Sequence, residues 1–266
     1  MVKILSSIFF VLLCELLFII PGGLIDIILT STFINLNEIV ISLIAFLCSG
    51  VLLILCLNIF FHNIFLRIKD LMQIDILKIT LLIAFIITVG LLYSLIVFLG
   101  LKFNLVIQKS TAIEAAGFLN IVLLFIFAFV VATVEEIIFR GADLSYLLMR
   151  FKSWVSILII SVVFSMGHVQ YSGILPHISL FLFGIVTSFL VIKTNTLYLA
   201  IGLHCGWNFA NSMHSQYFVL DNKTSPHWGS TFELLEIGIL ILILFSFWIY
   251  TRNQFFLKPT TEHSNL

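Results

Sequence analysis

Near the middle of this chain, the stretch V-A-T-V-E-E-I-I-F-R-G (Val131 to Gly141) sets two adjacent carboxylates, Glu135 and Glu136, and the guanidinium of Arg140 at the end of a long apolar run. An ionised side chain within a bilayer costs roughly 2.5–3.5 kcal/mol on insertion scales, so such groups face a protein interior and mark function by default. On a helix Glu136 and Arg140 are i, i+4 with the acid first, the favourable order for a pair. Glu135, one residue back and about 100° round the helix, points elsewhere and is free to act as a general base. The plain alternative is a solvated helix end at a membrane boundary.

Three further polar signatures follow, each on or at the end of an apolar run. F-S-M-G-H (Phe164 to His168) closes one run with an imidazole that is either structural or catalytic. F-L-F-G (Phe181 to Gly184) brings a glycine that lets helices approach closely, which ordinary packing also explains. In H-C-G-W-N (His204 to Asn208), His204 and Asn208 are i, i+4 on one helix face, with Gly206 between them. A buried imidazole and carboxamide must both find partners. They form either a satisfied structural pair or two donors for an oxyanion.

The elements that must position these groups are membrane helices. Of the 266 residues, 61% are hydrophobic and only 10% charged, with a mean hydropathy of +1.22. A soluble domain carries about 25% charged residues, so the chain reads as a polytopic membrane protein that meets a lipid bilayer along most of its length. Lys plus Arg equals Asp plus Glu, 13 each, which leaves no basic excess for nucleic acid. The four cysteines (Cys14, Cys48, Cys56 and Cys205) lie in apolar runs at spacings that match no zinc site or disulfide framework, and read as small core residues.

Apolar runs of membrane-spanning length recur along the chain. They predict an all-α fold of about eight transmembrane helices, near 4–20, 39–61, 79–101, 118–148, 153–172, 174–192, 196–213 and 233–251. The first run follows Lys3 but precedes no small-residue cleavage site, so it reads as a membrane helix. Alternating sides places Lys3, Arg67, Lys69, Lys78, Arg140, Arg150, Lys152, Lys193, Arg252 and Lys258 inside, against Lys102, Lys109 and Lys223 outside. The positive-inside rule then puts both termini in the cytoplasm. The second and third helices lack acids, bases and histidines in their interiors. Residues 1–117 therefore read as scaffold, 118–213 as the core that carries chemistry, and 214–266 as an outer loop, a last helix and a cytoplasmic tail.

Helix arithmetic lets the motifs meet. If the fourth and fifth helices turn between Arg150 and Ser153, Glu135 and His168 lie equally far from the apex, about 25 Å each. This requires the fourth helix to run on to Leu148. The fourth, fifth and seventh helices would then enclose a polar cavity, expected to open toward the cytoplasm. His62, His177, His214 and His227 read as interfacial or loop residues.

In this order and rough spacing, E-E-I-I-F-R-G, F-S-M-G-H, F-L-F-G and H-C-G-W-N resemble the motifs of the CAAX protease and bacteriocin-processing (CPBP) family. These are intramembrane endopeptidases related to the type II CAAX prenyl endopeptidase, also called the Abi family. The segment T-N-T-L-Y-L-A-I-G-L-H leading into the last motif is similar too, and the resemblance covers about Ala128 to Met213. It implies that Glu135 and His168 activate a water that attacks a peptide carbonyl, that His204 and Asn208 stabilise the oxyanion, and that Glu136 and Arg140 hold the site in shape. It implies a membrane-associated peptide or protein as substrate, CAAX-like or bacteriocin-like. Relatives have been described both as metalloproteases and as metal-free glutamate-type enzymes. Glu135, His168 and His204 could therefore ligate zinc, although the chain lacks H-E-x-x-H. The competing class is a non-enzymatic immunity or scaffold protein of the same fold. A transporter would need matched broken helices in the two halves, which are not visible.

Overall fold

The computed structural model describes residues 2–32, 38–102, 106–108, 118–220 and 228–251. Long apolar stretches become helices because, without water, every backbone group must be satisfied within its own segment. They are α1 (Val2–Thr32), α2 (Glu38–Phe60), α3 (His62–Leu71), α4 (Ile76–Lys102), α5 (Phe118–Glu136), a π-helical segment (Ile137–Asp143), α6 (Leu144–Leu148), α7 (Ser153–Gly167), α8 (Ile174–Thr194), α9 (Tyr198–Tyr217) and α10 (Trp228–Thr251). A short antiparallel ribbon pairs β1 (Val106–Gln108) with β2 (Phe218–Leu220). Five spans are long and apolar enough to cross a membrane: Leu5–Thr30, Ile39–Phe60, Ile76–Tyr93, Phe118–Leu148 and Ile174–Thr194. Ser153–Gly167 and Leu234–Phe245 are shorter apolar helices. The chain is a multi-pass, helical membrane protein. The tail at 258–266, His227, Lys109 and Lys223 lie outside the described residues, as does the side chain of His214.

Each predicted run is helical, with four departures, one being that the fifth ends at Gly167 and leaves 168–172 as a loop. α1 does not stop at Ile20 but continues through Pro21 to Thr32, since a missing N–H breaks one bond while surrounding lipid offers no alternative partner to the rest. α3 is an added ten-residue helix that buries Ile64, Ile68 and Leu71 on one face and turns Arg67 and Lys69 outward. Residues 118–148 form one continuous helical run, as the depth argument requires, but its centre is wound as a π segment. All four cysteines are free. Cys14 and Cys205 are buried, whereas Cys48 is exposed and Cys56 partly so, and these two are not core residues.

The bundle is built around α9, which packs chiefly on α4 and α5, while α7 and α8 form a tight hairpin. Close approach is made at glycines. A Cβ on Gly206 would lie 2.9 Å from Val89 Cβ and 3.1 Å from the Ile86 carbonyl, and a Cβ on Gly184 would lie 2.9 Å from the Ser161 Cα. Gly184→Ala therefore forces α7 and α8 apart and is expected to destabilise by about 1–3 kcal/mol, measured as a lower midpoint of thermal unfolding in detergent.

A backbone latch ties the two halves together at one end of the bundle. Leu71 O, at the end of α3, accepts from Leu197 N and from Thr196 Oγ1, both at 3.2 Å. Met72 O accepts from Tyr198 Oη at 3.1 Å, and Arg67 donates to Asn195 Oδ1. Asn195 caps α8 in the left-handed conformation, with φ of 52°. The family-like T-N-T-L-Y segment is thus a turn that grips α3.

Candidate active site

The fourth-helix motif straddles the junction of α5 and the π segment. Widening the turn there sets Glu136, Arg140 and Asp143 inward, each fully buried, and π turns of this kind recur at functional sites. Arg140 Nη1 donates to Glu136 Oε1 at 3.1 Å, the expected i, i+4 pair. Its guanidinium carbon also lies 4.4 Å from the ring centre of Phe164, a cation–π contact away from water. Glu136 has a second partner that sequence reasoning missed, for Nδ1 of His204 donates to the same Oε1 at 2.9 Å.

Glu135 turns the other way. Its Oε2 lies 3.8 Å from Nε2 of His168 and 3.6 Å from Nε2 of His204. Both rings are oriented through their other nitrogen. His168, at the C-cap of α7, donates Nδ1–H to the Phe164 carbonyl at 2.7 Å, and His204 donates Nδ1–H to Glu136. A nitrogen facing a carbonyl oxygen must carry a proton, so Nδ1 of His168 is the donor to Phe164 and its Nε2 is left facing Glu135. The structure brings Glu135, His168 and His204 together, with Glu136 and Arg140 directly behind them.

A narrow cleft reaches His168 and His204 of this trio. Asn208 lines it one helical turn from His204, together with Phe164, His168, Tyr171, Ser179, Leu180, Phe183, Trp207 and Asn211. Beyond Asn208 a second polar network closes one wall, in which Tyr93 Oη hydrogen-bonds Asn211 and also Glu236 Oε1, and Ser179 Oγ donates to Glu236 Oε2 at 3.3 Å. Burial, and then Glu236 and Glu135, hold the Tyr171 phenol above its ordinary range, so it remains an O–H at the rim. The cleft extends toward the loop 168–173 and the start of α8, the end of the bundle opposite the turn at 149–152.

Sequence reasoning also missed what α1 contributes. Phe10 stacks on Tyr146 at 3.8 Å, which seats α1 against α6. Cys14 and Glu15 then face Asp143, and Glu15 is within electrostatic reach of Glu135. The signal was an acid inside an apolar run. His177 is structural: it donates Nδ1–H to the Ser165 carbonyl at 3.0 Å and its own carbonyl accepts from Ser165 Oγ, which secures the α7–α8 turn. His62 meets Asn58 at the start of α3.

Glu135, His168 and His204 have the donor chemistry of a two-histidine, one-carboxylate zinc site. Among the described residues no group of three or more His, Cys, Asp or Glu side chains is placed to hold a metal. What the arrangement can do unaided is hold a water between a carboxylate and an imidazole, beside a second imidazole and a carboxamide.

No curated protein matches the chain. A family model, "Rce1-like: Type II CAAX prenyl endopeptidase Rce1-like", matches residues 117–210, about a third of the sequence and the part that holds Glu135, His168, His204 and Asn208. Over these residues the chain is similar to the type II CAAX prenyl endopeptidase Rce1-like family, a family of membrane proteases.

Proposed function

We propose that the chain is an intramembrane endopeptidase in which residues 118–213 are the catalytic core and residues 1–117 and 214–266 frame it. The observation that carries this reading is the approach of Glu135 Oε2 to both imidazoles, at 3.8 and 3.6 Å. Water held between Glu135 and His168 gives a proton to Glu135 as its oxygen attacks the peptide carbonyl, and the same proton then passes to the leaving amide nitrogen. His204, when it carries both ring protons, donates Nδ1–H to Glu136 and Nε2–H to the oxyanion, beside the Asn208 carboxamide. The ion pair of Arg140 with Glu136 fixes the His204 ring from behind.

The substrate in this reading is a membrane-associated peptide or protein, CAAX-like or bacteriocin-like, met in the cell membrane with both termini of the enzyme in the cytoplasm. Purified protein in lipid vesicles should cleave a quenched fluorogenic membrane peptide. Activity is expected to survive chelation and dialysis; activity lost on chelation and restored by zinc would instead assign Glu135, His168 and His204 as metal ligands. If a cellular phenotype survives alanine at all three positions, the non-enzymatic immunity or scaffold reading takes its place.

A further inference from the structure

The two ends of the bundle differ in charge and in closure. One end carries Arg67 and Lys69 on α3, Lys78 at the start of α4, Arg150 and Lys152 in the α6–α7 turn, and Lys193 at the end of α8; among the described residues the other end has Lys102. Short loops rich in Lys and Arg stay in the cytoplasm, so the first end is cytoplasmic. That end is also shut. The latch draws α3 onto the α8–α9 turn. Ile68 and Leu197 pack on Gly141 so closely that a Cβ there would lie 3.1 and 3.6 Å from their side chains.

The cleft leads the other way. α7 rises from the cytoplasmic turn for fifteen residues, about 22 Å, before it delivers His168 at its far end. The cleft walls are the last turn of α7, the first half of α8 and the middle of α9. Its rim residue Tyr171 is 45% exposed, and the neighbouring Val169 is 85% exposed.

We infer that the cleft opens to the non-cytoplasmic face and takes an apolar peptide segment presented from that side. This rests on the proposed peptidase reading for the word substrate, but not for the side. The walls suit such a segment: Phe164, Leu180, Phe183 and Trp207 offer apolar and aromatic contact, while Ser179 and Asn211 offer hydrogen bonds to a peptide backbone. The consequence for substrate class is specific. A segment confined to the cytoplasm, such as the C-terminus of a cytoplasmic lipid-anchored protein, cannot reach His168 and His204 through the latched end. The exported part of a membrane-anchored or secreted peptide can.

Two measurements decide this separately from catalysis. Val169→Cys, in the 168–173 loop, is expected to react with a membrane-impermeant maleimide on intact cells above the background of the parent chain. Met149→Cys, in the α6–α7 turn and 61% exposed, is expected to react only after permeabilisation. The reverse pattern overturns the inference. In the same cells, one cleavable segment is displayed on either side of a membrane anchor, with the Glu135→Gln variant as control. Cutting of the externally displayed reporter alone is the expected result, and cutting of the cytoplasmic one alone overturns the inference while leaving the peptidase reading intact. If neither is cut, the peptidase reading fails and the maleimide pattern still decides the side.

Discussion

The Glu135→Gln variant is expected to fold and insert normally while losing cleavage of a membrane peptide by roughly 10²- to 10⁴-fold, the usual contribution of a positioned acid–base group. Glutamine keeps the size of the side chain and can still face both imidazoles, but it cannot take a proton from water. Glu135 Oε2 has no hydrogen-bond partner among the described protein groups, so the exchange breaks no existing bond and stability should be unmoved. The comparison that gives this force is Glu136→Gln. That change weakens the contacts to Arg140 and His204 and is expected to lower both activity and stability. Initial rates on a fluorogenic peptide, beside unfolding midpoints for both variants, separate the two roles. A Glu135→Gln enzyme with an undiminished rate would remove Glu135 from the mechanism.

Arg140→Leu is expected to cost about 3–5 kcal/mol of stability, enough to unfold many membrane domains, because it leaves a buried carboxylate without its cation. Arg140 is wholly buried, pairs with Glu136 and lies over the Phe164 ring, which itself touches His168 and His204. The double change Arg140→Met with Glu136→Gln removes both charges together and should be less damaging than Arg140→Leu alone. Unfolding in denaturant, read by tryptophan fluorescence, gives the comparison. Equal losses in the single and double variants would show that Arg140 acts through packing rather than charge.

Much of the architecture could be read from the residues, and the failures have physical causes. Apolar runs mark helices in lipid because the backbone has no other partner, and the spacing of Glu136 and Arg140 announced their pairing because i, i+4 is a local rule. Equal chain lengths on either side of the α6–α7 turn brought Glu135 level with His168. The π segment had no such marker: an extra residue in a turn is chosen by what packs around it, here Ile68 and Leu197 against Gly141. The bond from His204 to Glu136 spans 68 positions and is tertiary. α3 was overlooked because ten residues with Arg67, Lys69 and Asp70 fall below any membrane-span threshold, although Ile64, Ile68 and Leu71 repeat at helical spacing.

The i, i+4 pair of Glu136 and Arg140 also bears on biogenesis. During synthesis Glu136 is made 68 residues before His204, which is several seconds at about 5–20 residues per second. Throughout that interval Glu136 lacks its imidazole and α9 cannot shield it. Arg140, on the next turn of the same nascent helix, is present from the outset and can neutralise it while the segment moves from the translocon into lipid. The pair therefore serves as a built-in insertion partner before it serves as a support for the finished site. A variant that moved the cation to a distant helix could restore the final charge balance and still fail to be made.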